Sequence, residues 1–179
     1  LSWTAAYRVK VLGETEDLRE VPSVVAGDKE SRHSIILAKS GPAKKYGIQT
    51  GEPLFQALEK CPDLKIVAPD YPLYVEASRH FVAMLRQFSP NVEQYSIDEA
   101  WVDMTGTERL WGAPRLAAEK MRLKIWEELG FTVNVGISSN KLLAKMAGDF
   151  EKPNKVHTLF PEEMERKMWP LPVRDLFLV

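Results

Sequence analysis

Tyr95-Ser96-Ile97-Asp98-Glu99-Ala100-Trp101-Val102-Asp103 sets two adjacent carboxylates between two short β-forming runs, 92–95 and 100–104. Neighbouring side chains in a regular strand point to opposite faces, so Asp98 and Glu99 converge only where the backbone turns beside them. A β-hairpin with the pair at its tip supplies that turn. Held about 4 Å apart, two anions repel by about 1 kcal/mol in water and about 4 kcal/mol at an effective dielectric near 20. A divalent cation removes that cost. Oxygen-only ligation suits Mg²⁺, which keeps waters and takes substrate phosphates into its shell. Taken alone, an Asp-Glu pair in a turn is an ordinary solvated loop, and Asp103 reads as a strand-end carboxylate.

The elements around the hairpin raise its significance. Upstream, Tyr74, Ala77, Phe81, Met84 and Phe88 repeat every three or four residues in a helix that stops at Ser89-Pro90. Downstream, Gly112-Ala113-Pro114 opens a helix carried by Ala117, Met121, Ile125 and Leu129 and closed by Gly130. Alternation over 131–137 predicts a strand, and Ser138 or Ser139 is then expected to cap a helix through Leu142, Leu143 and Met146. From Leu73 the order is α-β-β-α-β. That is the split β-α-β-β-α-β unit, ferredoxin-like, without its first strand. The expected fold class is therefore α+β, with the missing strand before Leu1 and residues 4–69 inserted as a small α/β lobe.

Within that lobe, Trp3, Ala6, Tyr7 and Val11 are expected to share one helix face, with Gly13 as the stop. Strands are expected over 22–27, 34–38 and 64–67. Between them Gly51-Glu52-Pro53 opens a helix with Pro at its first position, and Leu54, Ala57, Leu58 and Cys61 form one stripe. This stripe makes Cys61 a core residue, since a buried free cysteine behaves as a small hydrophobe. Residues 150–179 are punctuated by proline and read as the start of a further domain, ending on an apolar run.

Composition sets outer limits. The 179 residues are 45% hydrophobic and 9% aromatic, which is globular usage. Lys and Arg number 24 against 25 Asp and Glu, a net charge of -1, so any grip on nucleic acid must be local or lie outside the chain. A single cysteine excludes an internal disulfide and a multi-cysteine metal site. No apolar run of transmembrane length and no signal-peptide pattern is present, so a cytoplasmic location is expected, with no membrane partner.

Three segments together resemble the Y-family of lesion-bypass DNA polymerases. The stretch from Tyr95 to Asp103 looks like that family's Ser-x-Asp-Glu signature. Val135-Gly136-Ile137-Ser138-Ser139-Asn140-Lys141-Leu142-Leu143-Ala144-Lys145-Met146-Ala147 is similar to its second palm signature, with Lys152-Pro153-Asn154 at the family's spacing. Upstream, Leu37-Ala38-Lys39-Ser40-Gly41-Pro42-Ala43-Lys44-Lys45-Tyr46-Gly47-Ile48 resembles the fingers segment that touches the incoming triphosphate.

The resemblance implies that Asp98 and Glu99 bind two catalytic Mg²⁺ ions, with Glu99 nearer the attacking primer 3′-OH. It implies that Ser40, Lys44 and Lys141 serve the triphosphate, Lys141 from a helix start that itself favours phosphate. Lys44 stands where the family usually has Arg, keeping the charge but losing the bidentate fork. Gly41 and Ala38 depart from the aromatic and hydroxyl residues common at their positions. The implied division is palm over 1–3 and 70–149, fingers over 4–69, and palm end with the start of a thumb over 150–179. The third carboxylate and the ribose-excluding aromatic are expected before Leu1, so the chain reads as an excised fragment, itself inactive. The implied activity is template-directed, low-fidelity DNA synthesis in repair, with primer–template DNA and dNTP as partners and a sliding clamp engaged through regions outside this chain. Two rivals stand beside it: a polymerase-like scaffold without catalysis, and a nucleotide cyclase, which shares the split palm.

Overall fold

The computed structural model describes residues 1–28 and 33–177. Leu178 and Val179, which close the apolar C-terminal run, lie outside the described residues. The chain divides into two compact units, Leu1–Ala77 and Ser78–Val179. Both mix helices and strands, so the class is α+β.

The first unit opens with α1 (Ser2–Lys10) and continues through β1 (Ser23–Ala26), β2 (Ile36–Lys39), α2 (Gly41–Lys45), α3 (Leu54–Lys60) and β3 (Lys65–Val67). Its sheet runs β2-β1-β3, with β1 antiparallel to β2 and parallel to β3. All four residues of β1 are buried, as befits a central strand covered on both faces. Val24, Ala26 and Ile36 pack with Ala43, Ile48, Leu54, Ala57, Cys61 and Leu64 into one core, and Leu58 lies against it. Cys61 is thus a core thiol, 3% exposed.

Two details of this unit differ from expectation. Pro53 is the N-cap of α3, and the helix begins one residue later at Leu54. Pro53 N–H is absent in either position, and its extended ψ of 138° lies outside the helical range. In α1 the buried residues are Thr4, Ala5 and Ala6, whereas Tyr7 and Val11 are exposed. Small side chains let that face approach its neighbours closely, and Thr4 Oγ1 lies 3.3 Å from Tyr74 Oη.

The helix α4 (Tyr71–Leu85) leads into the second unit, which holds β4 (Val92–Gln94), β5 (Ala100–Val102), α5 (Glu108–Trp111), α6 (Pro114–Leu129), β6 (Val135–Ile137), α7 (Lys141–Asp149), β7 (Val156–Thr158) and α8 (Met164–Lys167). From α4 the order is α-β-β-α-α-β, the short α5 standing between β5 and α6 where the sequence pattern predicts one helix. The unit's strands form two separate ladders, β4-β5 antiparallel and β6-β7 parallel. Pro114 sits in the first turn of α6, and Gly130 ends the helix in the left-handed region at φ 79°. Ala117, Ala118, Met121 and Ile125 bury the inner face of α6. Phe81 and Phe131 meet at 6.3 Å.

The predicted strand over 131–137 pairs only at Val135–Ile137, because its ladder partner β7 is three residues long. Before it, Asn134 ties the region together: Nδ2 donates to the carbonyls of Gly148 and Glu151 at 3.0 and 2.7 Å, and Oδ1 accepts from Lys155 N at 3.1 Å. The cap of α7 is Asn140, whose Oδ1 accepts from Leu143 N at 2.9 Å. Ser138 is drawn elsewhere, its hydroxyl donating to Leu159 O at 2.6 Å. On β6, Gly136 lets α7 approach to within backbone contact: a Cβ there would stand 1.9 Å from Ala144 O and 2.5 Å from Gly148 N. Leu143, Met146, Ala147 and Leu159 form a core against which Phe150, Met164, Met168, Leu171, Leu176 and Phe177 pack.

Candidate functional site

The hairpin tip is closed by backbone bonds from Tyr95 N and Ser96 N to Glu99 O, at 2.9 and 3.2 Å. The bend between them brings the two acidic side chains to one place. Ser96 Oγ lies 3.0 Å from Asp98 Oδ1 and 3.4 Å from Glu99 Oε2, so one hydroxyl, with one proton to give, stands between both carboxylates. Gln94 Nε2 braces the turn by donating to Ser78 Oγ and to Ser96 O, each at 3.0 Å. Asp98 is exposed and Glu99 half-buried. Asp103 stays out of this cluster. Its Oδ1 accepts from Thr105 N at 3.0 Å, and the hydrogen bonds at Thr105 hold its carboxyl below the usual range.

The helix α7 faces this tip with two lysines one turn apart. Trp101 Nε1 donates to Lys141 O at 3.1 Å, fixing the start of the helix on β5. The Lys141 ammonium lies 5.5 Å from the centre of the Trp101 ring and pairs with Glu93. Lys145 reaches the acidic pair itself: Nζ lies 2.6 Å from Glu99 Oε1 and 2.9 Å from Asp149 Oδ2. Lys152 pairs with the other oxygen of Asp149 at 2.6 Å. Charges therefore alternate from Glu99 through Lys145 and Asp149 to Lys152. Burial alone would lower the Lys145 pKa, but the hydrogen bonds to Glu99 and Asp149 outweigh it and hold the ammonium above the ordinary lysine value. For Asp149, burial works against the charged form, and the bonds from Lys152 and Lys145 prevail to lower its pKa.

Lys145 was not among the residues singled out for the site. The signal lay in helical spacing: Lys141, Lys145 and Asp149 fall at i, i+4 and i+8 and so share one face of α7.

Ser40 and Lys44 belong to the first unit. Ser40 caps α2, and its buried hydroxyl is fully engaged, accepting from Ala43 N and Ser23 N at 3.1 Å each and donating to Val21 O at 2.7 Å. Lys44 is exposed in the last turn of that helix, with no carboxylate partner among the described residues. A side chain built at Gly41 would meet open space.

The donors at the tip suit a hard cation. Among the described residues no group of three or more His, Cys, Asp or Glu side chains is arranged to hold a metal ion. Two carboxylates gathered on one hydroxyl match the small protein share of an octahedral Mg²⁺ shell, which leaves room for water and phosphate oxygens. A cavity of about 300 Å³ lined by Arg115, Arg122, Lys155 and His157, among others, shares no residue with the tip. Its cations are largely self-neutralised, Arg122 on Glu119 and Lys155 on Glu151.

The second unit thus sets an acidic hairpin against a lysine-bearing helix on an α+β frame. The profile of the impB/mucB/samB family matches residues 3–149, and the chain belongs to that family, the Y-family named by its motifs. Over all 179 residues it is 50% identical to DNA polymerase IV of Clostridium acetobutylicum, covering 45% of that protein. Over 161 residues, 89% of the chain, it is 44% identical to DNA polymerase IV of Moorella thermoacetica, covering 40% of it. The crystal structure of DinB from Sulfolobus solfataricus matches with a TM-score of 0.82 at 26% identity, over 99% of this chain and 52% of that one. The chain thus spans less than half the length of these curated relatives. No described helix is long and apolar enough to cross a membrane.

Proposed function

We propose that the chain is the palm and fingers portion of a template-directed DNA polymerase that extends a primer past damaged template. The observation that carries this reading is the gathering of Asp98 and Glu99 on the Ser96 hydroxyl, directly across from Lys145. Relatives named DNA polymerase IV support the substrate classes, primer–template DNA and dNTP. In this reading residues 1–3 and 70–149 are palm, 4–69 fingers, and 150–179 palm end with the start of a thumb. In finer detail, this reading makes the palm a split β-α-β-β-α-β unit.

The reaction is attack of the primer 3′-OH on the α-phosphate of the nucleotide, with release of pyrophosphate. Asp98 and Glu99 would hold two Mg²⁺ ions, whose chemistry is to stabilise charge on the attacking and leaving oxygens during in-line displacement. The chain's own part is positioning and charge. Ser96 keeps the two carboxylates together before substrate arrives. Lys141, at the start of α7, offers its ammonium and the helix's exposed N–H groups to the triphosphate. By the family resemblance Lys44 of the first unit also serves the triphosphate, and Ser40 acts by fixing the helix that carries it.

Primer extension by the full-length protein tests the reading. Asp98→Asn and Glu99→Gln should each lower Mg²⁺-dependent extension by about a hundredfold or more, since a metal ligand at the reacting oxygens contributes several kcal/mol. If the wild-type protein extends no primer under any Mg²⁺ concentration, the catalytic reading is lost and a scaffold role replaces it.

A further inference from the structure

The ion pair at Glu99 does more than complete a surface network. Lys145 approaches from a helix 46 residues further along the chain, and its side chain is 18% exposed, against 57% for Lys141. Asp149 holds it from one turn on, and the Phe177 ring lies 5.7 Å from its ammonium. Glu99 Oε1 is occupied by this ammonium, while Oε2 faces the Ser96 hydroxyl shared with Asp98. One oxygen of Glu99 is therefore taken by an ammonium, and the other shares a single hydroxyl proton with Asp98. A cation ligated by Glu99 must either sit beside a fixed positive charge or displace it, and Asp149 gives the displaced ammonium a second carboxylate already at hydrogen-bond distance.

We propose that Lys145 is an internal counter-ion for the acidic pair, with which a divalent cation must compete. Resting on the metal-binding reading above, this makes cation affinity low in the unliganded protein and lets the anionic triphosphate raise it by adding negative charge to the site. Lys145 is in this sense a positioning residue: it acts through Glu99 and times metal occupancy to nucleotide arrival.

Binding of Mn²⁺ to the full-length protein, without nucleotide or DNA, tests this by the electron paramagnetic resonance signal of the free ion. Lys145→Met should bind Mn²⁺ about tenfold more tightly, the scale of losing a neighbouring unit charge in a half-solvated site. Lys145→Arg should match the wild type. Asp149→Asn, which leaves Lys145 to Glu99 alone, should bind about threefold more weakly, and it carries the test should Lys145→Met fail to fold. Lys141→Met removes the same charge from the exposed lysine paired with Glu93 and should change affinity by less than about twofold. Unchanged or weaker binding in Lys145→Met, unchanged or tighter binding in Asp149→Asn, or equal tightening in Lys141→Met would each overturn the proposal while leaving the metal site standing. Mn²⁺ binding that survives Asp98→Asn with Glu99→Gln would instead remove the metal-binding reading, and the proposal with it.

Discussion

Replacing Gly136 by Ala should be among the most damaging single-methyl changes available in the second unit. The added Cβ would lie 1.9 Å from Ala144 O and 2.5 Å from Gly148 N, both backbone atoms of α7 that no rotamer change can move aside. Ordinary contact needs more than 3 Å, so β6 and α7 must part by over an ångström along their closest approach. Forcing extra atoms into a packed interior costs about 1–3 kcal/mol, and the backbone location puts this site at the upper end, about 3 kcal/mol. Gly148→Ala supplies the contrast from the other side of the same contact. Its Cβ would meet Gly136 N at 3.6 Å and Gly136 Cα at 4.0 Å, ordinary van der Waals distances. Alanine in that last turn of α7 should be neutral or stabilising by up to about 1 kcal/mol, through the smaller freedom of the unfolded chain. Urea unfolding followed by circular dichroism measures both. A loss below about 1 kcal/mol for Gly136→Ala, or equal losses for the two variants, refutes the packing argument.

Asn140→Ala should cost about 1 kcal/mol in the same urea assay by removing the side-chain cap of α7, and Asn140→Asp should keep the cap; an Ala variant as stable as wild type would show that the bond contributes nothing. Glu163 gives a pH signature: the Lys167 hydrogen bond foremost, then the Phe160 N–H, hold its carboxyl down from 4.5 to about 2. Its pKa is depressed on folding, so the contribution is present above the ordinary carboxylate value and fades as pH falls toward about 2. A ¹³C NMR titration should place the Glu163 midpoint near 2 and move it up toward the ordinary range in Lys167→Met; an unmoved midpoint would show that Lys167 is not the cause.

The hairpin and its flanking helices were legible because strong local signals bound them. Pro114 and Gly130 bracket α6 and its apolar spacing is regular, whereas α4 ends at Leu85, four residues before the expected Ser89-Pro90 stop, in a turn over 86–88. The tip was legible as chemistry only through its motifs, since alternation alone does not separate Asp98-Glu99 from a solvated turn. What escaped depended on partners distant in sequence. Strand β7 is three residues between Pro153 and Pro161 and carries no periodicity of its own; it exists because β6 offers it a parallel ladder. The extent of β6 was overread for the converse reason, β7 being too short to pair with 131–134. On α1 the apolar residues Tyr7 and Val11 suggested one face, whereas close packing selected the small Thr4, Ala5 and Ala6. Lys145 escaped because a lysine's partner is set by where its helix docks, and Trp101 does the docking.

That indole bond from Trp101 to Lys141 O also bears on how the protein is made. It joins residues 40 apart, across a segment that must first form α6, β6 and the start of α7. The hairpin can close by itself in microseconds, but a contact of that separation must await closure of the long intervening loop. On refolding, secondary structure should therefore precede the assembled acidic site, and a nascent chain released before residue 141 emerges would carry the carboxylates with nothing to answer their charge.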